Sequence, residues 1–214
     1  MKTIAIVPIK LNNERLPNKN TKLLGDKPLI NYILDELLTT KGIDEIFVYC
    51  SNEHIQEYLP EKVQYLKRPI ELDLPTSNFN QIFESFMRTI HAEIYVYAHA
   101  TAPFISSTTI KECIEKVKSG AFDSAFSASK IQDYLWKDGK PLNFDATNLP
   151  RSQDLQPIYR ETSGIYVFTK ECYMKNRRRI GNIPYIKEVS FKESIDINNA
   201  EDFDLAQIML NVKN

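Results

Sequence analysis

The stretch VPIKLNNERLPNKNTKLLGDKPLINYIL, residues 7–34, leaves a hydrophobic run, crosses a polar loop and enters an apolar periodic segment. Lys10, Arg15, Lys19, Lys22 and Lys27 fall within it. On its upstream side TIAIVPI at 3–9 reads as a buried strand. Downstream, PLINYILDELLTTK at 28–41 sets Leu29, Ile30, Ile33, Leu34, Leu37 and Leu38 on one helical stripe. Strand, loop and helix in this order form the first unit of an open α/β sheet. Ligands of such sheets lie beyond the carboxyl ends of the strands, so a cationic loop leaving the first strand is placed to meet an anion.

The loop's chemistry suits a polyphosphate. Lys10, Arg15, Lys19 and Lys22 supply charged donors, and the amides of Asn12, Asn13, Asn18 and Asn20 match ribose or base edges. Neither G-x-G-x-x-G nor G-x-x-x-x-G-K-[ST] occurs, so side chains must replace backbone amides as the anion donors. A solvated basic loop is the other reading of the same spacing.

The strand and helix rhythm continues. EIFVYC (45–50) reads as a strand, 53–58 as a short helix, VQYLKRP (63–69) as an extended piece, and 78–90 as a helix carrying Ile82, Phe83, Phe86 and Ile90. EIYVYAHA (93–100) and SAFSAS (124–129) read as strands around a helix that Ser/Thr residues open and Gly120 closes. Such alternation predicts a largely parallel sheet with helices on both faces. From 130 to 163 the chain turns aromatic and proline-rich, and Lys137-Asp138-Gly139-Lys140 suits the turn of a β-hairpin or arm. SIDINNAEDFDLAQIMLNV then predicts a strand or extended piece at 194–198 and a last helix burying Phe203, Leu205, Ile208, Met209 and Leu210. No linker-like run interrupts the chain, so one domain over 1–214 is expected.

Composition sets bounds on partners. With 214 residues, 43% hydrophobic and 26% charged, the chain can bury a full core. A net charge of -1 gives no general pull toward nucleic acid or an anionic membrane, so any basic site is local. Cys50, Cys113 and Cys172 show neither a Cys-x-x-Cys pair nor a metal-ligand rhythm and read as reduced thiols. No apolar run reaches the length of a signal peptide or membrane span, which predicts a cytoplasmic protein.

The segment IAIVPIKLNNERLPNKNTKLLGDKPLINYIL resembles the nucleotide-binding start of the acylneuraminate cytidylyltransferase (CMP-sialic acid synthetase) family, related to the CMP-Kdo synthetases. The likeness runs in order through RPIELDLPTSN, AHATAPFI, DSAFSA, YRETSGIYVF and SIDINNAEDFDLA. It implies a three-layer α/β/α, Rossmann-like nucleotide-diphospho-sugar transferase fold with a mixed, mostly parallel sheet. The implied activity is transfer of CMP from CTP to an acidic sugar such as a nonulosonic acid, with Mg²⁺ as cofactor and pyrophosphate released. A homodimer is implied as well, with the 130–163 excursion as its contact, completing the neighbouring pocket.

Carried onto this sequence, the resemblance puts Lys10, Asn12, Arg15, Lys19 and Asn20 around the CTP phosphates and nucleoside, with Arg68 beside them. Lys10 stands where the sialic acid branch has Arg, Glu14 where it has Lys, and Arg15 where the Kdo branch has an arginine, so the loop is a hybrid. His99 takes the place of a sugar-contacting glutamine, and Thr101 follows as a weaker candidate. Arg151 falls near the arginine for the sugar carboxylate, and Arg160 and Tyr166 are further substrate candidates. Asp196 is the expected Mg²⁺ ligand and main catalytic residue, with Lys19 and Arg15. Asn198 occupies the second metal position, where the family has Asp.

Each assignment has a plainer counterpart: a surface ion pair for Arg68, a salt bridge within the arm for Arg151, core packing for Tyr166, and a helix cap for Asp196 or Asn199. At the level of function, two alternatives stand beside the sugar activation. One is a same-fold enzyme for Kdo or for a non-sugar phosphate or phosphonate acceptor. The other is a non-catalytic sugar-nucleotide-binding protein.

Overall fold

The computed structural model describes residues 1–212. Its elements in chain order are β1 (Thr3–Ile9), β2 (Leu23–Leu24), β3 (Lys27–Pro28), α1 (Leu29–Thr39), β4 (Glu45–Cys50), β5 (Gln64–Lys67), α2 (Phe79–Thr89), β6 (Ile94–Ala98), α3 (Ser107–Lys118) and β7 (Ser124–Ile131). Then follow β8 (Trp136–Lys137), β9 (Lys140–Pro141), β10 (Ile158–Thr169), α4 (Lys170–Asn176), β11 (Pro184–Glu188) and α5 (Ala200–Leu210). Seven strands form one sheet in the order β11-β7-β10-β6-β1-β4-β5. All neighbours are parallel except β10, which runs antiparallel to both β6 and β7.

The central strands are near-continuous apolar runs because both their faces are covered. One face buries Val7, Val48, Val96 and Val167 against the stripe of α1 (Ile30, Ile33, Leu34, Leu37) and against α3. The other buries Ile6, Tyr95 and Phe168 against Phe83 and Phe86 of α2 and Tyr173 of α4. Phe83 alone meets Tyr95, Phe168 and Tyr173 edge-on at 4.9, 5.0 and 4.6 Å between ring centroids, the favoured geometry for aromatic pairs. Caps fix the helix starts. Asn78 and Gln81 exchange side-chain and backbone bonds ahead of α2, and the Ser106 hydroxyl accepts from the Thr109 N–H ahead of α3.

Pro8, in a central strand, is explained by register. The β1–β6 ladder ends at Ile6 paired with Tyr97, two residues before the proline that has no N–H to donate, while the β4 side continues to Ile9. The strands therefore part at their carboxyl ends, beneath the polar loop.

Several expectations are corrected. The excursion is shorter than 130–163: β7 runs to Ile131, and residues from Ile158 onward belong to β10 in the middle of the sheet. Within the arm, β8 and β9 form the expected hairpin, with Asp138 and Gly139 at φ 51 and 75, the left-handed pair that a two-residue hairpin turn requires. Of the strand or extended piece expected at 194–198, no strand forms: the segment joins no ladder among the described residues. On α5, Phe203 and Ala206 are buried, whereas Leu205 and Ile208 are exposed, because the helix packs along one narrow seam against Leu24 and Leu29.

Candidate functional site

The loop after β1 folds back on itself. Asn18 adopts left-handed φ 54 and starts a single tight turn, Lys19–Thr21, which carries Lys19 beneath the segment around 197. The Asn20 amide donates to the Lys10 carbonyl at 3.0 Å and ties the two ends of the loop together. Lys19 is buried, and its ammonium donates to the Ile197 carbonyl at 2.8 Å. Burial pushes its pKa below the ordinary lysine value; Asp196 opposes that shift and the Arg15 charge adds to it. Lys10, Arg15, Lys19 and Asn198 line a cavity of about 280 Å³. Asn12 is exposed and lines no part of it.

Asp196 and Asn198 sit on an extended segment anchored from both sides. The Ile197 N–H donates to the Thr101 carbonyl at 2.8 Å, and the Asp202 carboxylate accepts the N–H groups of Asn198 and Asn199 at 2.8 and 3.1 Å. Asn199 is the cap of α5, in a reciprocal capping box with Asp202, so Asp196 is not engaged as a helix cap. The Asn198 amide donates to Asp196 Oδ2 at 2.8 Å, while its oxygen accepts from the Arg15 guanidinium at 3.0 Å. This orientation is forced, because arginine can only donate and a carboxylate can only accept.

A second cavity of about 340 Å³ adjoins the first at Asn198 and is lined by Arg160, Glu161, Ser163, Asp196 and Asp202 among others. Its wall on β10 is irregular. The register shifts between Glu161 and Tyr166, Ser163 takes left-handed φ 57, and a Cβ on Gly164 would come within 2.7 Å of Ile105. A bulge of this kind re-aims side chains at a sheet's active end. Thr162 holds it by donating to Ser127 Oγ at 2.7 Å.

The donor set fits a hard dication. Asp196 has one carboxylate oxygen without a hydrogen bond among the described residues, and no trio of His, Cys, Asp or Glu forms a closed cage there. Mg²⁺ characteristically binds in that way, through one or two carboxylates with water and substrate phosphate oxygens. Asn198 turns its amide nitrogen toward Asp196, so its oxygen faces Arg15.

The other candidates divide. His99 lies past β6 with a buried Nε2 that has no partner among the described residues. Burial holds its pKa down at about 4, with the Arg179 charge acting in the same sense and Asp196 against it. Tyr166 is buried, donates to Glu161 at 2.7 Å, and carries the Arg179 guanidinium 3.8 Å above its ring. Arg160 reaches the second cavity and donates to Ser129 Oγ at 3.2 Å. Arg68 forms an ion pair with Asp73, buried where a surface pair was the alternative reading, with Nε 3.1 Å from Oδ1. Through the same Asp73, whose carbonyl accepts from Lys10 at 3.4 Å, it braces the loop from behind. Arg151 is exposed on the arm and bidentate to Asp154 at 2.7 and 3.1 Å, away from both cavities.

Residues 4–207 match the Cytidylyltransferase family, nearly the whole chain. The chain belongs to that family. It is 26% identical to the N-acylneuraminate cytidylyltransferase of Streptococcus agalactiae over 95% of this chain and 52% of that protein. It thus spans about half the length of that relative. The pseudaminic acid cytidylyltransferase of Campylobacter jejuni is 23% identical over 99% of this chain and 97% of its own length. The solved CMP:2-keto-3-deoxy-manno-octonic acid synthetase complexed with CTP superposes with a TM-score of 0.73 at 14% identity, covering 98% of each chain, and shares the α/β fold.

Within this cytidylyltransferase-family chain, sequence reading missed Asp73, Glu161, Arg179 and Asp202. Asp202 was legible as an acidic residue three positions after Asn199, the spacing of a capping box. The run Arg177-Arg178-Arg179 carried no periodic signal to say which of its members turns toward Tyr166 and Glu161.

Proposed function

We propose that this protein transfers CMP from CTP to the anomeric hydroxyl of an acidic, nonulosonic-type sugar. The observation that carries this reading is the meeting of a cation-lined cavity and a carboxylate-bearing one at Asn198. Lys10, Arg15 and Lys19 hold the triphosphate in the first cavity, and Lys19, already desolvated, concentrates its charge on the phosphates. The acceptor lies in the second, with its anomeric oxygen toward Asp196. That oxygen forms a bond to the α-phosphorus as its proton passes to solvent water, and the bond from the α-phosphorus to the oxygen bridging it to the β-phosphate breaks, releasing pyrophosphate. Mg²⁺, when bound at Asp196, supplies neutralisation of charge on the α-phosphate.

The hybrid loop leaves Kdo within the acceptor class. Homodimerisation through the arm fits its exposed Trp136, Leu142 and Leu149. Three buried, unpaired cysteines suit the reducing cytoplasm as the place of work, and no described helix is long and apolar enough to cross a membrane.

Pyrophosphate release measured with CTP, UTP, ATP and GTP against a panel of acidic sugars tests the reading. Release with CTP and one sugar class, abolished by Asp196→Asn while metal-free nucleotide binding survives, is the expected result. Nucleotide binding without release from any acceptor would favour the sugar-nucleotide-binding alternative.

A further inference from the structure

An acidic acceptor must have its carboxylate met by a cation, and the walls of the second cavity set Glu161, Asp196 and Asp202 against Arg160, whose Nε is engaged by Ser129 Oγ at 3.2 Å. Three successive arginines follow α4. Arg177 pairs with Glu84 at 2.8 Å, and Arg178 binds the Gly181 carbonyl and the Asn182 side chain at 3.3 and 2.6 Å. Arg179 alone of the three turns back over the sheet. Its guanidinium carbon lies over the Tyr166 ring, 3.8 Å from the centroid, and touches Glu161 only at 3.5 Å, an oxygen that Tyr166 already engages at 2.7 Å. A guanidinium stacked face-on to a ring keeps its edge, the fork that matches a carboxylate, free in its own plane.

The second observation is His99. Its Nε2 is buried without a partner between Tyr97 and Tyr166, with ring centroids at 5.4 and 6.1 Å. A buried polar atom with nothing to bond calls for a partner, which an ordered water or a ligand's polar group supplies. The charges of Arg179 and Asp196 both act on His99, in opposite senses.

We infer that Arg179 is the residue that reads the acceptor's carboxylate, exchanging its long contact to Glu161 for a bidentate pair, while His99 Nε2 bonds a neutral polar group of the same acceptor. Arg151, engaged by Asp154 on the exposed arm, does not take this part. The inference rests on the acidic-sugar reading above.

The test uses the full chain with CTP and Mg²⁺. Acceptor KM and binding are measured for N-acetylneuraminic acid and 2-keto-3-deoxy-manno-octonic acid and for their methyl esters. Wild-type protein should prefer at least one free acid over its ester by about tenfold or more, the scale of a charge-assisted bidentate pair. Arg179→Gln should bring the acid down to its ester with CTP affinity unchanged. Arg179→Lys, which keeps the charge over the ring but loses the fork, should retain part of the preference. Unchanged CTP affinity also certifies folding.

Preference retained in Arg179→Gln, abolished by Arg160→Gln instead, or absent from CTP-binding wild-type protein overturns the inference alone. Loss of CTP binding in both Arg179 variants makes Arg179 a structural residue and overturns it too. Wild-type protein that does not bind CTP defeats the cytidylyltransferase reading first, and this inference with it.

Discussion

Replacing Asn198 by Asp sets a second carboxylate where an amide now donates to Asp196 at 2.8 Å. Two carboxylates with charge centres about 4 Å apart repel by about 4 kcal/mol at an effective dielectric constant of about 20. The Arg15 guanidinium, 3.0 Å from the present amide oxygen, gains an attraction of similar size. What remains is loss of the hydrogen bond to a charged acceptor, so the variant should be less stable by about 1–2 kcal/mol without divalent cations. Its midpoint of thermal unfolding should fall by a few degrees. Mg²⁺ should reverse this, since a hard dication screens the carboxylates from each other and gains a second charged oxygen ligand. The assay is thermal unfolding with CTP across a Mg²⁺ titration, beside the Mg²⁺ concentration for half-maximal pyrophosphate release. The variant's midpoint should rise more steeply with Mg²⁺ than the wild type's, and its half-maximal concentration should be lower. Superimposable Mg²⁺ responses would refute the reasoning and leave Asp196 and Asn198 as a structural tie for Arg15.

Lys19→Ala should weaken CTP binding about tenfold more than CMP binding, measured calorimetrically, because a cation facing the outer phosphates has little to meet in CMP. Equal losses would make Lys19 only a strut for the Ile197 carbonyl. His99, whose folded pKa of about 4 lies below its unfolded value near 6.5, leaves the unfolded chain binding more protons between those limits. Stability therefore drops as pH falls from about 6.5 toward 4, by up to about 3 kcal/mol at roughly 1.4 kcal/mol per unit. His99→Gln should flatten that part of a chemical-denaturation pH profile, and an unchanged slope would assign the acid sensitivity to other groups.

The parallel half of the sheet was legible because each strand there announces itself locally. TIAIVPI and EIFVYC are continuous apolar runs beside a helix of clear period, and the structure places them at Thr3–Ile9 and Glu45–Cys50. β10 was harder for a physical reason. Its first half, Ile158–Ser163, is polar and mostly exposed, since it rises beyond the covered layers to form a cavity wall, and its burial begins in earnest only after the bulge. A strand whose Arg160 and Glu161 line a cavity does not carry the alternation of one that only packs. The same logic governs the site residues. Lys10, Arg15 and Lys19 cluster within one loop, so their density is visible in one window of sequence. Arg68 and Arg179 have roles fixed by their partners: Asp73 neutralises one in a buried pair, and Tyr166 supports the other, whose donors make only a long contact to Glu161. Two arginines of equal standing in the sequence thus become a brace and a reader through their partners, Asp73 only five positions from Arg68 and Tyr166 on β10 beneath Arg179.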